Sequence, residues 1–365
     1  MIPLRILHAV PTLDGEELQA AQPSLLALAR HGHETALLIP DTERTTTDDG
    51  RTILSYTPGW WGWVRHERRT TVRKVATWTP DLLHAHGLAN LGTSLDLARR
   101  LGLSVVVTLH HAEEPYAARR LRDPLVTWVL VPTEHHRAHA LARIGLARDR
   151  VAIAPLGVTV EAAPTASSLA SSWTIGAIDP GERAALRRWL MAVAEVQQAG
   201  LPLTARLLTT DSDRATEMAT ASGCTLFCAT GHDIAHFTAG CDVLALPGNR
   251  ECSPLLPLTA MALGKPVIGI ATGGLPELVR DGQTAVLVKA GDRDAMADAI
   301  RLLHDRGRRQ QMGDAGRSLA RERYSADLVG EALVAVYRSA LGDAGVGGKA
   351  EITSAWRRMT ESRGR

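Results

Sequence analysis

The stretch Leu246-Pro247-Gly248-Asn249-Arg250-Glu251-Cys252-Ser253-Pro254 decides how this sequence is interpreted. An apolar run, residues 243–246, precedes it, and an apolar segment long enough for a short helix, residues 255–263, follows it. A buried strand, a loop with glycine and proline, and a helix in succession are typical of an α/β protein with a parallel sheet. We therefore predict a strand–loop–helix unit at this place.

The same alternation of short apolar runs and helical periods occurs along most of the chain. The expected strands are residues 6–10, 35–39, 82–84, 105–109, 128–131, 173–178, 204–209, 243–246, 267–270 and 285–288. Helical periods lie between them, for example residues 18–29 and 184–199. This pattern predicts doubly wound parallel sheets with helices on both faces.

A length of 365 residues predicts two domains, because one hydrophobic core does not grow to that size. Residues 162–172 are rich in Ala, Ser, Thr and Pro and indicate a linker. We therefore predict a Rossmann-like domain over 1–161 and a second over 173–341, with the ligand in the cleft between them. The basic segment 342–365 is expected to be a disordered tail.

Composition and charge exclude several classes of protein. A net charge of +2 without a long basic stripe gives no indication of a nucleic-acid partner. The four cysteines lack metal-site spacing and are expected to be reduced thiols. The first apolar run is short and is interrupted by Arg5 and His8, which is unlike a signal peptide or a membrane span. A cytoplasmic protein is the expectation.

The segment around Glu251 resembles a known family. Together with residues 258–268 and 271–282, it is similar to the C-terminal donor-binding domain of the large retaining GT-B glycosyltransferase family, glycosyl transferases group 1, which includes mannosyltransferases and glycogen synthases. Residues 80–87, 106–110 and 154–158 are similar to parts of its N-terminal, acceptor-binding domain. The resemblance implies the GT-B fold and transfer of a sugar from a nucleotide-sugar donor to an acceptor, with retention. It also implies no metal and no cofactor, since the nucleotide sugar is a substrate.

The resemblance assigns donor-binding roles to residues around the expected helix. A helix N-terminus offers backbone N–H groups and a partial positive charge, which suit the diphosphate of a nucleotide. Glu251 would contact the transferred sugar or stabilise positive charge at its anomeric carbon, although a cap of the helix is the alternative. The residues expected to bind the donor from this segment are Glu251, Ser253, Leu255, Leu256 and Thr259.

Histidines near two expected strand ends complete the site that the resemblance implies. His110 would lie near the donor sugar and act with Glu251 in catalysis, although a hydrogen-bonded structural histidine is the alternative reading. His86 is a candidate on the acceptor side, and His84 is a weaker one.

Several positions depart from the family pattern. Thr259 stands where a second glutamate holds the nucleotide ribose, and a hydroxyl there weakens donor binding by about 1–3 kcal/mol. Ala177 and Glu182 stand where an arginine and a lysine bind the diphosphate. Removal of such a charge typically lowers the rate about a hundredfold. Three arginines are candidates to replace these cations: Arg183, Arg187 and Arg250.

The glycines near the start of the chain also differ from those of the family. Paired glycines that let the backbone approach the donor are reduced to Gly15, which is followed by Glu16 and Glu17. Two acidic side chains beside a diphosphate would repel it.

Three functions stay open after these departures. The first is an active glycosyltransferase, the second is a degenerate GT-B domain that binds a partner or a sugar without turnover, and the third is a sugar-nucleotide epimerase of the same architecture. Asp211-Ser212-Asp213 resembles a metal-binding motif, but GT-B chemistry needs no metal and none is expected.

Trp60, Trp61 and Trp63 lie just before a basic segment that contains Arg65 and Arg68. An exposed aromatic loop beside cations would favour peripheral contact with an anionic membrane carrying a lipid-linked acceptor. A polysaccharide acceptor is the other possibility. The alternative reading is that the three rings fill the protein core.

Overall fold

A computed structural model describes residues 2–13, 15–41, 52–57, 64–111, 117–160, 173–231 and 233–342, without the side chains of 64–68. The expected linker, 162–172, lies outside the described residues, as does nearly all of the expected tail. Trp60, Trp61 and Trp63 also lie outside them. Contacts between Cα atoms divide the chain into two units, Met1–Gly157 with Ala326–Arg365, and Val158–Ser325.

The first unit contains a seven-stranded parallel sheet with the order β3-β2-β1-β4-β5-β6-β7. Its strands are β1 (Arg5–Ala9), β2 (Glu34–Pro40), β3 (Thr52–Tyr56), β4 (Leu82–His86), β5 (Ser104–Thr108), β6 (Val126–Val131) and β7 (Val151–Ile153). Its first helices are α1 (Glu16–Arg30), α2 (Val64–Trp78), α3 (Leu91–Leu101) and α4 (Glu134–His139). A 3-10 turn, Ala117–Arg122, links β5 to β6.

The second unit contains a six-stranded parallel sheet with the order β10-β9-β8-β11-β12-β13. Its strands are β8 (Trp173–Ile178), β9 (Leu203–Leu208), β10 (Leu226–Ala229), β11 (Val243–Leu246), β12 (Val267–Ile270) and β13 (Ala285–Val288). Its helices are α5 (Arg183–Gln198), α6 (Ser212–Ala221), α7 (Ile234–Ala239), α8 (Leu255–Ala262), α9 (Leu275–Leu278), α10 (Arg293–Leu302) and α11 (Arg306–Arg323).

Both sheets have residues buried on their two faces, as the continuous apolar strands predict. In β1, Leu7 and Ala9 join one core cluster, whereas Ile6 joins another that includes Val336 of the last helix. Two Rossmann-like α/β units with parallel sheets confirm the predicted fold class.

The last described helix, α12 (Ala326–Ala340), belongs to the first unit and not, as predicted, to the second. Position along the chain predicts that residues up to 341 belong to the second domain, because they follow it directly. In the structure α12 packs on α1 of the first unit, where a Cβ placed at Gly330 would lie 3.0 Å from the Ala27 Cβ. Arg30 also pairs with Asp327 at 2.6 Å. The first unit is therefore built from both ends of the described chain.

Among the helices of the described ranges, none combines the length and the apolar character that a transmembrane helix requires.

Candidate functional site

Each sheet reverses its strand order at one point, which is where ligands bind in open α/β sheets. In the second unit, successive strands run outward from β8 in one direction and from β11 in the other. The loops after these two strands are residues 179–182 and 247–254. Glu251 therefore lies on one of the two loops that flank the reversal point.

Glu182 connects these two loops directly. Its Oε1 accepts the backbone N–H of Arg250 at 2.8 Å, and its Oε2 lies 3.4 Å from Asn249 Nδ2. Glu182, which stands where the family has a lysine, thus supports the backbone immediately before Glu251. The sequence indicates only that a cation is missing at position 182, because the hydrogen-bond partner of Glu182 is 68 residues away along the chain.

Gly273 supports Glu251 from the loop after β12. Its φ is +57°, in the region that favours glycine. A Cβ placed there would lie 3.1 Å from Glu251 Cβ and Cγ and 3.2 Å from its Cα. Glu251 therefore has a fixed backbone position, between Glu182's hydrogen bond to the residue before it and the bare backbone of Gly273.

At the start of α8, two of the backbone N–H groups that were predicted to bind a diphosphate already donate hydrogen bonds to Ser253. Ser253 is buried, and its Oγ accepts the N–H of Leu255 at 3.2 Å while its carbonyl accepts the N–H of Leu256 at 3.1 Å. A diphosphate bound here would have to share or displace these two bonds. Thr259 lies one turn further along and is only 9% exposed.

Three arginines near this loop are exposed. Arg183 begins α5 directly after Glu182, Arg187 lies one turn later, and Arg250 precedes Glu251. None of the three side chains has an ion-pair or hydrogen-bond partner in the part of the chain that the structure describes. Arg183 and Arg250 both flank the Glu182 contact, so the structure brings two of the predicted replacement cations to one loop pair.

Asp211 of the metal-like motif caps a helix. Its Oδ1 accepts the backbone N–H of Arg214 at 3.0 Å at the start of α6, and its Oδ2 lies 3.3 Å from the Arg214 side chain. This contact accounts for the aspartate without a bound ion.

In the first unit, four imidazoles form a buried histidine cluster: His8, His84, His86 and His110. They come from the ends of three neighbouring strands, β1, β4 and β5. His110 is 2% exposed, and its ring stacks on His86 at 5.8 Å between centroids. Burial, followed by the nearby His111 and His136, lowers the pKa of His110 to about 3, so its imidazole is neutral at physiological pH.

The structure thus places His86 and His110 in one cluster but shows His86 as a buried side chain, 4% exposed. His8 was not predicted as part of the site, because the register that places it beside His84 joins strands that are far apart in sequence.

Gly15 lies just before α1 with extended backbone angles. A Cβ at this position would clash with Thr12 Oγ1, so the close approach that requires glycine is made by a side chain of the same loop. This contact explains the residue without a donor, and a contact of Gly15 with a donor stays a prediction.

A pocket of about 470 Å³, not foreseen from the sequence, opens in the first unit. Tyr56 and Thr57 at the end of β3, Gly92 and Thr93 at the start of α3, and Arg120 line it. The Arg120 guanidinium lies against Gly92, where a Cβ would be 3.1 Å from its Cζ. The carboxylates of Asp96 and Asp123 also line this space, but each pairs with an arginine, Arg100 and Arg99 respectively. The exposed Arg120 has no described ion pair and, with the start of α3, forms a border suited to a carboxylate or a phosphate.

Comparison with known proteins finds a family match in each half of the chain. Residues 25–162 match the family described as Glycosyltransferase Family 4, and residues 214–319 match Glycosyl transferases group 1. An N-acetyl-alpha-D-glucosaminyl L-malate synthase from Bacillus anthracis is 33% identical over 119 residues, which are 32% of this chain and 31% of that protein. A D-inositol 3-phosphate glycosyltransferase from Mycobacterium leprae is 37% identical over 108 residues, 28% of this chain and 24% of that protein. The matches span about a third or less of these relatives.

Solved structures share the whole fold at low identity. A glycosyltransferase from Rickettsia africae has a TM-score of 0.78 at 14% identity, covering 94% of this chain and all of that one. HepE from Anabaena, solved with UDP-glucose, has a TM-score of 0.76 at 16% identity, covering 92% of this chain and all of that one. A putative UDP-N-acetylglucosamine 2-epimerase from Listeria monocytogenes has the fold too, with a TM-score of 0.60 at 14% identity and 94% and 98% coverage.

The two family matches follow the order of the two units along the chain, and the glycosyltransferase structures extend over nearly all of it. The chain therefore carries a Glycosyltransferase Family 4 domain followed by a Glycosyl transferases group 1 domain, in the fold of the GT-B glycosyltransferases.

Proposed function

We propose that this protein is a glycosyltransferase that moves a sugar from a nucleotide-sugar donor to an acceptor carrying an anionic group. The observation that carries the proposal is the position of Glu251 at the sheet's reversal point within the group 1 domain, with its backbone supported by Glu182 and Gly273. Parallel sheets bind ligands at such points, and a carboxylate there can stabilise positive charge that develops on the sugar.

The donor diphosphate would lie at the start of α8, with Arg183 or Arg250 as its cation. A helix N-terminus carries partial positive charge, and both arginines are exposed and have no described ion-pair partner. In the transfer, the bond between the sugar C1 and the diphosphate oxygen breaks and a bond from C1 to the acceptor oxygen forms. The acceptor's hydroxyl proton leaves with the diphosphate or with a base. Retention at C1 and a contact of His110 with the donor sugar stay predictions from the family resemblance.

The anionic character of the acceptor is inferred from the first unit. Arg120 and the start of α3 border the 470 Å³ pocket. The names of the relatives from Bacillus anthracis and Mycobacterium leprae contain a malate and an inositol phosphate, which are anionic at neutral pH. A lipid-linked acceptor and a polysaccharide would be compared with these small molecules as acceptors in one transfer assay.

A binding protein without turnover is the second candidate function. It is favoured by Glu182, whose carboxylate lies at 2.8 Å from the loop backbone where the family places a cation for the diphosphate. Ala177 supplies no charge in its place.

Two measurements separate the candidates. UDP, GDP and ADP are added separately at millimolar concentration, and a rise in Tm identifies the base, because a ligand that binds the folded state stabilises it. The matching nucleotide sugar is then incubated with L-malate or an inositol phosphate, and NMR of the product's anomeric proton reports retention or inversion.

The variant Glu251→Gln should lower turnover by about a hundredfold or more while it keeps the nucleotide-induced shift in Tm. The exposed Glu217 on α6 provides the matched control Glu217→Gln, which should be fully active. A Tm shift without any turnover would favour a binding protein that keeps the nucleotide site, and no shift with any nucleotide would reject the glycosyltransferase in favour of a domain that binds a partner or a sugar.

A further inference from the structure

The histidine cluster in the first unit has the geometry of a metal site. His84 and His86 are two positions apart on β4 and therefore lie on the same face of the sheet. His8 on β1 pairs in register with His84, which places its side chain on that face as well. One ligand nitrogen of each residue lies within 4.8 Å of those of the other two. Two histidines at i and i+2 with a third on the adjacent strand thus form a compact triad.

These three side chains are buried, with His8 and His84 1% exposed and His86 4%. A neutral imidazole carries one N–H and one nitrogen lone pair, and the lone pair is what a metal binds. The three residues therefore offer one lone pair each, and a bound metal ion would replace the hydrogen bond between His8 and His86.

Hydrogen bonds account for only part of this cluster. His8 Nδ1 lies 3.1 Å from His86 Nε2. Among the described residues, His8 Nε2 and His86 Nδ1 have no hydrogen-bond partner, and neither do the two nitrogens of His110. Buried polar atoms are nearly always satisfied in folded proteins, so such a group of unpartnered nitrogens points to a ligand.

We propose that His8, His84 and His86 bind one divalent transition-metal ion, with Zn²⁺ as the preferred ion. A ligand set of imidazoles without a carboxylate favours Zn²⁺, Cu²⁺ or Ni²⁺ over Mg²⁺ or Ca²⁺. Three histidines and one water are a known zinc coordination. This proposal does not depend on the transferase activity, and the residues lie in a different unit from Glu251.

The surroundings provide the outer contacts that such a site requires. The Tyr337 hydroxyl of α12 lies 2.8 Å from His84 Nδ1 and can accept its N–H, which leaves the Nε2 lone pair for the metal. The Thr108 hydroxyl, now 2.7 Å from that Nε2, would move aside or contact the metal-bound water. A cavity of about 30 Å³ bordered by His84, His86 and His110 has room for one water. Hydroxide in that position would reduce the buried positive charge.

The test uses the full chain after dialysis against a chelator. Zn²⁺ is added, excess is removed by gel filtration, and the metal is counted by mass spectrometry, with affinity from calorimetry. We expect about one tightly held Zn²⁺ per chain and, with Co²⁺ in its place, the intense visible absorption of a four-coordinate ion.

The variants His8→Gln and His86→Gln should lower zinc affinity by at least tenfold, whereas the exposed surface histidine control His236→Gln should bind as wild type does. Wild-type protein that retains no zinc, or gives only the weak spectrum of six-coordinate Co²⁺, would overturn the proposal whether or not the variants fold. Equal affinity in wild type and a folded His8→Gln would overturn it too, and would assign the cavity to water.

Discussion

Glu182 accepts the backbone N–H of Arg250 at 2.8 Å and thereby joins the loop after β8 to the loop that carries Glu251. In proteins that this chain resembles, the corresponding position holds a cation for the diphosphate. Here the same position holds a hydrogen-bond acceptor for a loop. Glu182 therefore supplies no cation to the proposed donor site and instead supports the backbone beside Glu251.

Glu182→Ala should lower turnover by roughly tenfold or more, because a small displacement of a reacting group is costly in rate. Glu182→Gln keeps an acceptor oxygen and should retain most of the activity. Glu182→Lys restores the family's cation but cannot accept the Arg250 N–H, so we expect it to behave like the alanine variant. Steady-state kcat and KM with a nucleotide sugar measure all three. Full activity of Glu182→Ala would contradict the positioning role.

Gly273→Ala should impair the donor site beyond its cost in backbone strain. A left-handed residue other than glycine costs about 1–2 kcal/mol. At Gly273 the new methyl also presses on Glu251, which has to shift by a few tenths of an ångström. Gly282→Ala is the matched control, since its φ is +72° and a Cβ there meets nothing within 4 Å.

Chemical denaturation should show a loss of about 1–2 kcal/mol in the control and a larger loss in Gly273→Ala. Only Gly273→Ala should lose turnover. Equal kinetics in the two variants would mean that the contact with Glu251 has no functional effect.

The parallel sheets and most of their strands were predictable because most strands contain a short apolar run between helical periods. Three strands were missed: β3 (Thr52–Tyr56), β7 (Val151–Ile153) and β10 (Leu226–Ala229). β3, β7 and β10 lie at the edges of their sheets, where one side of the strand has no neighbour and polar residues such as Thr52 are tolerated. Their apolar runs are correspondingly short.

The unit to which α12 belongs was not predictable from position along the chain. Its apolar residues, among them Val329 and Val336, need a partner face, but the helical period does not say which unit supplies it. Only the packing on α1, with the close approach of Gly330 to Ala27, decides the matter. The Glu182 contact and the pairing of His8 with His84 escaped prediction for the same reason: both join residues that are far apart in sequence.

Arg183→Ala should weaken nucleotide binding by roughly ten- to a hundredfold, the loss expected for one charge-assisted contact. The free energy of unfolding should be unchanged without ligand, because the side chain is exposed and makes no described ion pair. Arg308→Ala, at an exposed position near the start of α11, is the control and should bind normally. Calorimetry with the preferred nucleoside diphosphate gives both affinities. Normal binding by Arg183→Ala would transfer the role to Arg250, which the variant Arg250→Ala would then test.

Wild-type protein should float with liposomes that contain anionic lipid, at low salt, if the segment with Trp60, Trp61 and Trp63 docks on a membrane. The triple alanine variant should then lose binding and stay folded. A variant that unfolds would instead indicate that the rings belong to the core. Wild-type protein that stays at the bottom of the gradient would reject membrane contact and leave a soluble acceptor as the proposal.

Thr259→Glu tests the remaining departure from the family, and the structure changes what to expect from it. Thr259 is 9% exposed on a helix whose described side chains are all buried. A carboxylate introduced there without a partner costs free energy, so the ligand-free variant should have a lower Tm than wild type.

When a nucleotide is bound, its ribose hydroxyls can donate to the new carboxylate of Thr259→Glu, and nucleotide affinity should rise by roughly ten- to a hundredfold. The rise in Tm on adding nucleotide should therefore be larger in Thr259→Glu than in wild type. Thr259→Gln introduces a side chain of similar size to glutamate but without its charge, and it should show a smaller gain in nucleotide affinity. A variant with a lower Tm and no gain in nucleotide affinity would place the ribose away from α8.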